Sequence, residues 1–406
     1  MAVRQQALTL VAPVRASVLV GLSARLDAAE SDVQDALVAV SSLHVARFVL
    51  LDGPTGPGTR LAFESNHDGD LAPHLASLSR ALAPFEDLLF GSWEGYEKGD
   101  LPGFVDKHAV LASTFYLGHP GLTVPQIHDD RDLRLRLEDL LDELDPPDLE
   151  GESAVDVRAR LLGRLQGTEF STGPIDRGLP AQPFATIAFW TLVLLVVVPL
   201  VIVIVPLALL VEWNERRTEP PRELTPEGDP RLDPINARED AVTQNGLTHH
   251  VALRPGLYRR TVFRIVLWFL ETTRQLVSYE GQLNGIGSIH FARWVLLDDD
   301  SVLFFSNYDG SWEAYLGDFV DKAHIYLTAV WSNTKWFPDT KGLVFSGAAK
   351  ENAFKQWTRT FQVENRIWYS AYKTLTVSQV LKNATVREGA SGDMTEKEAR
   401  DWLALL

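Results

Sequence analysis

Residues 44–52 read HVARFVLLD and residues 290–298 read HFARWVLLD, so one stretch of sequence occurs twice, agreeing at seven of nine positions. Three more blocks follow each copy in the same order. SNHDG (65–69) matches SNYDG (306–310), GSWEGY (91–96) matches GSWEAY (310–315), and FVDKH (104–108) matches FVDKAH (319–324). A chain built this way must fold as two related units. The first copy carries extra residues: GPTGPG (53–58) between its strands and the stretch Asp70–Phe90 before its GSWEGY.

Each copy has the same grammar. A short strand, ASVLVGLSA (16–24) or THHVALRPG (248–256), precedes a helix, AAESDVQDALVAVSSL or RRTVFRIVLWFLETTRQLV. The repeated strand and a second one, TRLAFESN or SVLFFSN, come next. An Asp-Gly turn then leads into the helix bearing FVDK, and a final strand such as KGLVFSG (341–347) closes the unit. This β-α-β-β-α-β order is a split-βαβ, ferredoxin-like unit. Such a unit has one helix-covered face and one open apolar face, and two units bury their open faces against each other.

Between the copies, Phe184–Val211 runs for 28 residues without a charge, more than the roughly 20 that a bilayer span needs. Trp190 and Trp213 suit interfacial positions. Arg216, Arg217 and Arg222 after the run outnumber Arg177 before it, which for a single span places the C-terminal half in the cytoplasm. Pro199 and Pro206 each favour a kink, so a single kinked span, a re-entrant hairpin with two arms of about 14 residues and a segment lying along the membrane surface all stand. Pairing of the copies within one chain requires both on one side of the membrane. The N-terminus reads as lacking a secretory signal, and the expectation is membrane association with both halves cytoplasmic. Pairing between separate chains, as an oligomer, would instead permit a true span. The organisation is then a first repeat over 1–150, a linker over 151–183, the apolar segment over 184–213, a Pro- and charge-rich linker over 214–245, a second repeat over 246–385 and a tail over 386–406. The helix around Arg259, Arg260, Arg264 and Trp268 suits either an anionic membrane face or a core helix with a basic edge.

The duplicated unit resembles the dimeric α+β barrel superfamily over roughly residues 15–125 and 246–380, and within it the dye-decolorising haem peroxidases and chlorite-dismutase-like proteins. Those peroxidases carry G-x-x-D-G with an Asp over the haem. Here Asp68-Gly69 and Asp309-Gly310 remain, but Ser65 and Ser306 replace the first glycine. The resemblance implies an α+β fold of two ferredoxin-like repeats packed as a barrel, with haem as cofactor; no residue here matches the family's proximal histidine.

A net charge of −16 disfavours nucleic acid as a partner. The absence of cysteine excludes disulfides, zinc–thiolate sites, thiolate-ligated haem and iron–sulfur clusters. Gly-rich phosphate loops, G-x-S-x-G, H-E-x-x-H and C-x-x-C are all missing.

Strand alternation puts His290, Ala292 and Trp294 on one face and Phe291, Arg293, Val295 and Leu297 on the other. Arg293, like Arg47, therefore needs an acceptor among apolar neighbours, whether an anionic ligand or a carboxylate such as Asp321 or Asp106. Arg293, Asp309 and Asn307 are the catalytic candidates, although Asn307 and Asp309 equally suit capping of the next helix. His290 is the candidate metal ligand, with His324 and Trp331 as further cofactor-binding candidates; each equally suits a structural role. Two functions remain open. One is a membrane-associated haem peroxidase-like oxidoreductase acting on a hydrophobic or lipid-derived substrate. The other is a non-catalytic membrane-anchored ligand-binding or scaffold protein.

Overall fold

The chain's first strand begins earlier than its pattern suggests. In a computed structural model, which describes residues 3–52, 58–144, 151–165, 167, 170–177, 182–218, 223–226, 228–239, 241–276 and 285–406, strand β1 is Gln5–Pro13. The expected strand at 16–24 is instead a helical turn, Ala16–Leu19, and the start of helix α1 (Leu22–Leu37). Leu22, Leu26, Val33 and Leu37 are its buried residues, and their spacing is that of one helix face. Strands β2 (Leu43–Leu51) and β3 (Arg60–Asp68) follow, then helices α2 (Leu71–Ala81) and α3 (Leu101–His108), strand β4 (Thr114–Leu117) and helix α4 (Val124–Asp142). The second copy has β5 (Gln244–Ala252), α5 (Leu257–Leu276), β6 (Ile289–Leu296), β7 (Ser301–Asp309) and α6 (Trp312–Trp331). Short strands β8 (Thr340–Lys341), β9 (Phe345–Ser346) and β10 (Gln362–Val363), then β11 (Asn365–Ser370) and α7 (Val377–Glu388), complete it. Most of the GPTGPG stretch and Arg222 lie outside the described residues.

The two GSWE blocks have different structural places. Ser311 caps α6, its hydroxyl accepting from the Ala314 amide. GSWEGY instead occupies a 3-10 turn and loop between α2 and α3, where Trp93 stacks on Phe104 and its indole donates to the Leu61 carbonyl. Position by position after the Asp-Gly turn, α2 stands where α6 begins, and His74 stands where the second copy has Tyr315.

Neither copy closes its own sheet. The strand orders are β1-β3-β2-β11 and β10-β5-β7-β6-β4, antiparallel throughout. Strand β4 of the first copy lies on β6 of the second, and β11 of the second copy lies on β2 of the first. The expected closing strand KGLVFSG contributes only to the β8–β9 hairpin. Ile367 of β11 is fully buried in the first copy's core beside Phe48 and Phe63, and Tyr116 of β4 is buried in the second. The sheets face each other through Val49, Leu51 and Ala62 on one side and Val295, Leu297, Leu303 and Phe305 on the other.

The apolar run is one continuous helix, Ile187–Glu215, long and apolar enough to cross a membrane, of which only 7% of the most apolar stretch is buried in the protein. The two-armed hairpin does not form. A π-helical turn at Val193–Val197 ends two residues before Pro199 and loosens the ladder in the turn that a proline ring would crowd.

The strand exchange yields a prediction. Residues 1–183 and 214–406, produced separately, should each leave a sheet edge open and bury no complete core; co-expressed, they should purify as a one-to-one pair with native circular dichroism. A folded, monomeric 1–183 fragment would contradict the exchange.

Candidate functional site

Sheet register breaks at the same place in the β2–β3 and β6–β7 pairs. Leu43 pairs with His67 and Val45 with Asn66, leaving His44 as the extra residue; Ile289 and Phe291 flank His290 in the same way. A bulge of this kind re-aims a side chain, so the expected alternation of His290 with Ala292 and Trp294 fails there. Both histidines turn to the end of the sheets where the copies meet, and both are fully buried.

Each meets an aspartate from the following strand. His44 Nε2 donates to Asp68 Oδ1 at 2.9 Å, and His290 Nε2 donates to Asp309 Oδ1 at 2.7 Å. The second carboxylate oxygen accepts a helix's first amide: Val124 N to Asp68 Oδ2 and Val377 N to Asp309 Oδ2, both 2.8 Å. Thr123 and Thr376 cap the same helices, α4 and α7. A carboxylate is favoured at a helix N-terminus, so these aspartates tie each histidine to a helix.

With Nε2 donating, each histidine offers Nδ1 as an acceptor. Tyr372 OH lies 2.7 Å from His44 Nδ1, and His119 Nε2 lies 3.4 Å from His290 Nδ1. His119 Nε2 and Tyr372 OH are 3.3 Å apart, closing the chain. Burial holds His119 well below the usual histidine range and Tyr372 well above the usual phenol range. At neutral pH the imidazole is uncharged and the phenol protonated, as the chain requires. His119 and Tyr372 each lie two residues beyond an exchanged strand, in HPGLTVPQ (119–126) and YKTLTVSQ (372–379). That pair of blocks, and the Q-x-x-L-T shared by Gln5–Thr9 and Gln244–Thr248, were the sequence signals for this cluster that the repeat comparison missed. Gln5 and Gln244 repeat the pattern in detail, donating to the Leu122 and Leu375 carbonyls.

One layer deeper, Arg47 and Arg293 are both fully buried. Their carboxylate is neither Asp106 nor Asp321, both of which are exposed on their helices, but Glu64 of β3. Glu64 Oε2 lies 2.5 Å from Arg47 Nε and Oε1 lies 2.7 Å from Arg293 Nη2. The remaining donors cross between copies: Arg47 reaches the Leu247 and Ser306 carbonyls and Asn307 Oδ1, and Arg293 reaches the Leu8 and Ser65 carbonyls. The counterpart of Glu64 is Phe305, whose ring takes both guanidinium groups at 5.3 and 5.8 Å. Burial, opposed by Glu64, pulls Arg47 down to about 10.

Of the candidate residues, the structure joins His290 to Asp309 and places Arg293 and Asn307 in the layer below. His324 is half-buried on α6, its Nδ1 on the Val320 carbonyl, and Trp331 packs among Trp294, Phe304 and Trp357. Haem does not fit these residues. Both ring nitrogens of His290 are engaged, and the cavity beside Trp331 holds about 20 Å³, the scale of one water.

A larger opening lies beside the axis. A cleft of about 830 Å³ runs between α1 and the strands β5 and β11, with Val38, Ile235, Val242 and Trp368 among its walls. Val124 and Ala371 line its inner end, each next to a member of the polar cluster. Trp368 donates from its indole to Asn307 Oδ1 at 3.1 Å. It fits only because residue 246 is glycine, where a Cβ would stand 2.5 Å from the indole nitrogen. No protein-family model, no curated protein and no solved structure matches the chain.

Glu64→Ala should lower the unfolding free energy by about 3–5 kcal/mol, since it strands two buried cations. Lys98→Ala, which removes a solvent-exposed pair with Asp87, should leave the denaturation midpoint unchanged.

A second expectation concerns pH. Burial pushes His67 down to about 2, His249 to about 3 and His74 to about 4. In the unfolded chain these groups titrate near 6.5, so below that pH the unfolded state binds protons that the folded state refuses. Stability should therefore be fully present above pH 6.5 and fall between pH 6.5 and 4, by about 1.4 kcal/mol per pH unit for each histidine. His67→Tyr with His74→Tyr, which copies the stacked Tyr308–Tyr315 pair, should flatten that limb in a thermal-unfolding pH series.

Proposed function

We propose that the chain is a membrane-anchored ligand-binding protein, built as a duplicated α+β barrel of two ferredoxin-like units, whose ligand site is the cleft between α1 and β5/β11. The observation that carries this reading is the contrast between that cleft and the polar axis behind it. The histidines, aspartates and arginines with catalytic potential are buried and largely spent on one another. The cleft, in contrast, is open, and about 830 Å³ lies within the range of small-molecule sites.

Its lining favours an amphipathic guest. Val38, Ile235, Val242 and Trp368 offer an apolar wall, while Gln34 and Lys373 offer polar contacts at the same opening. The guest's apolar part is supplied most directly from a membrane, which accords with the anchor. Because β4 and β11 are exchanged, the two copies cannot lie on opposite sides of a bilayer. Both therefore belong on one side of the membrane.

A thermal-shift titration tests the site. Dodecanoate and dodecyltrimethylammonium, each below its micelle concentration, should include at least one that raises the Tm of the purified full chain. Val242→Trp, which fills the cleft mouth, should abolish that shift. No shift with either probe, or an equal shift in the variant, would reject the cleft. A stoichiometric Soret band lost in His290→Ala would favour the peroxidase reading in its place.

A further inference from the structure

The apolar helix does not stand free of the protein. Tyr258 OH donates to the Ile204 carbonyl at 3.2 Å, and Ala208 is buried against Val262 and Leu343. The earlier part, Gln182–Leu192, also lies against α5. At its C-terminal end two carboxylates fasten it. Glu212 is buried and accepts from Thr340 Oγ1 and from the Gly342 and Leu343 amides, the amides at 3.0 Å. Glu215 receives Arg254 at 2.7 Å and Arg259 at 2.6 Å.

A helix held along its length in this way cannot cross a bilayer alone. It would carry α5 into the hydrocarbon, with Arg260, Arg264 and Glu271, and charged groups there are strongly disfavoured. Yet its outer surface is almost wholly apolar: Leu195 is 67% exposed, Ile202 68% and Leu209 52%. The structure assigns this helix and the adjoining edge of α5 to a monotopic seat. The helix lies in the plane of one bilayer leaflet, with α5 at headgroup level. Leu257, Arg264 and Trp268 share the exposed edge of α5, with Trp268 and Arg264 one turn apart. That is the chemistry of an interfacial edge, an aromatic beside a cation for lipid phosphates. Phe345, 61% exposed, lies in the hairpin that grips Glu212 and extends the apolar surface. The lipid bilayer is the occupant because the exposed surface is a run of large aliphatic side chains as long as a span, continued on a neighbouring helix by Trp268 and Arg264.

This inference rests on the membrane association proposed above, and depth measurement separates the two. The chain has no cysteine, so Leu195→Cys, Ile202→Cys and Leu209→Cys each give a single labelling site in the full protein. Nitroxide-labelled variants are reconstituted into phosphatidylcholine vesicles with one-quarter phosphatidylglycerol, and depth is read from oxygen and nickel-chelate accessibility. Leu195 and Leu209 are 14 residues apart, about 21 Å along a helix. An in-plane helix gives the three labels the same shallow depth. Labels that pass from one interface through the centre to the other report a span: this inference falls, and membrane association stands. Labels that stay in water overturn both. Labels shielded from both reagents report a protein partner on this face and overturn the lipid assignment. Arg264→Glu should weaken vesicle binding several-fold, whereas Arg80→Glu on the first copy should leave it unchanged; equal effects would remove α5 from the membrane face.

Discussion

The free edge of β2 is closed by a strand that the chain delivers only near the end of the second copy. That exchange, β11 onto β2 and β4 onto β6, governs most of what surrounds it. It places Ile367 and Tyr369 in a core whose other buried residues come from the first copy. It also carries the residues just after each exchanged strand, His119 and Tyr372, to the seam between the copies. There they complete the hydrogen bonds that His44 and His290 cannot make within their own sheets. The polar axis is thus a product of topology: without the exchange, two bulged histidines would face each other with unmet acceptors.

The near-symmetry breaks where charge is at stake. Two arginines face one glutamate, with Phe305 in the position of a second carboxylate. The carbonyls of Leu8, Ser65, Leu247 and Ser306 spread the remaining positive charge over both copies, so each arginine binds the other copy's backbone. A second break swaps the stacked Tyr308–Tyr315 pair for His67–His74. Both pairs keep the same serine contact: Ser306 to Tyr315, and Ser65 to His74. Packing geometry was preserved while protonation chemistry changed. The first copy has therefore gained two acid-sensitive side chains where the second has phenols.

The sequence made the duplication legible because its signal lies in β2, β3 and their counterparts, where both faces of the strand are buried and few residues are tolerated. It also marked Arg47 and Arg293 as residues needing partners, and Asp309 as a candidate for catalysis or capping. It could not show those partners. Glu64 breaks the repeat, so comparing copies hid it, and Asp106 and Asp321 lie on the outer surface of their helices. The bulges at His44 and His290 are invisible to strict alternation, since a single extra residue reverses the face. The exchange was hidden for another reason. Strand β4 is four residues long and β11 six, too short for a periodic signal, while the longer-looking KGLVFSG drew the assignment.

The position of the apolar helix follows from the same topology. The exchanged strands must return across the seam, so the segments leading to β4 and β11 have set lengths and destinations. The connection from α4 to β5 contributes no strand among its described residues. The apolar helix placed there takes its foothold on the second copy, through Glu212 and Glu215. The cleft has one wall in the first copy's α1 and another in Ile235 and Val242, part of the chain that returns from the helix to β5.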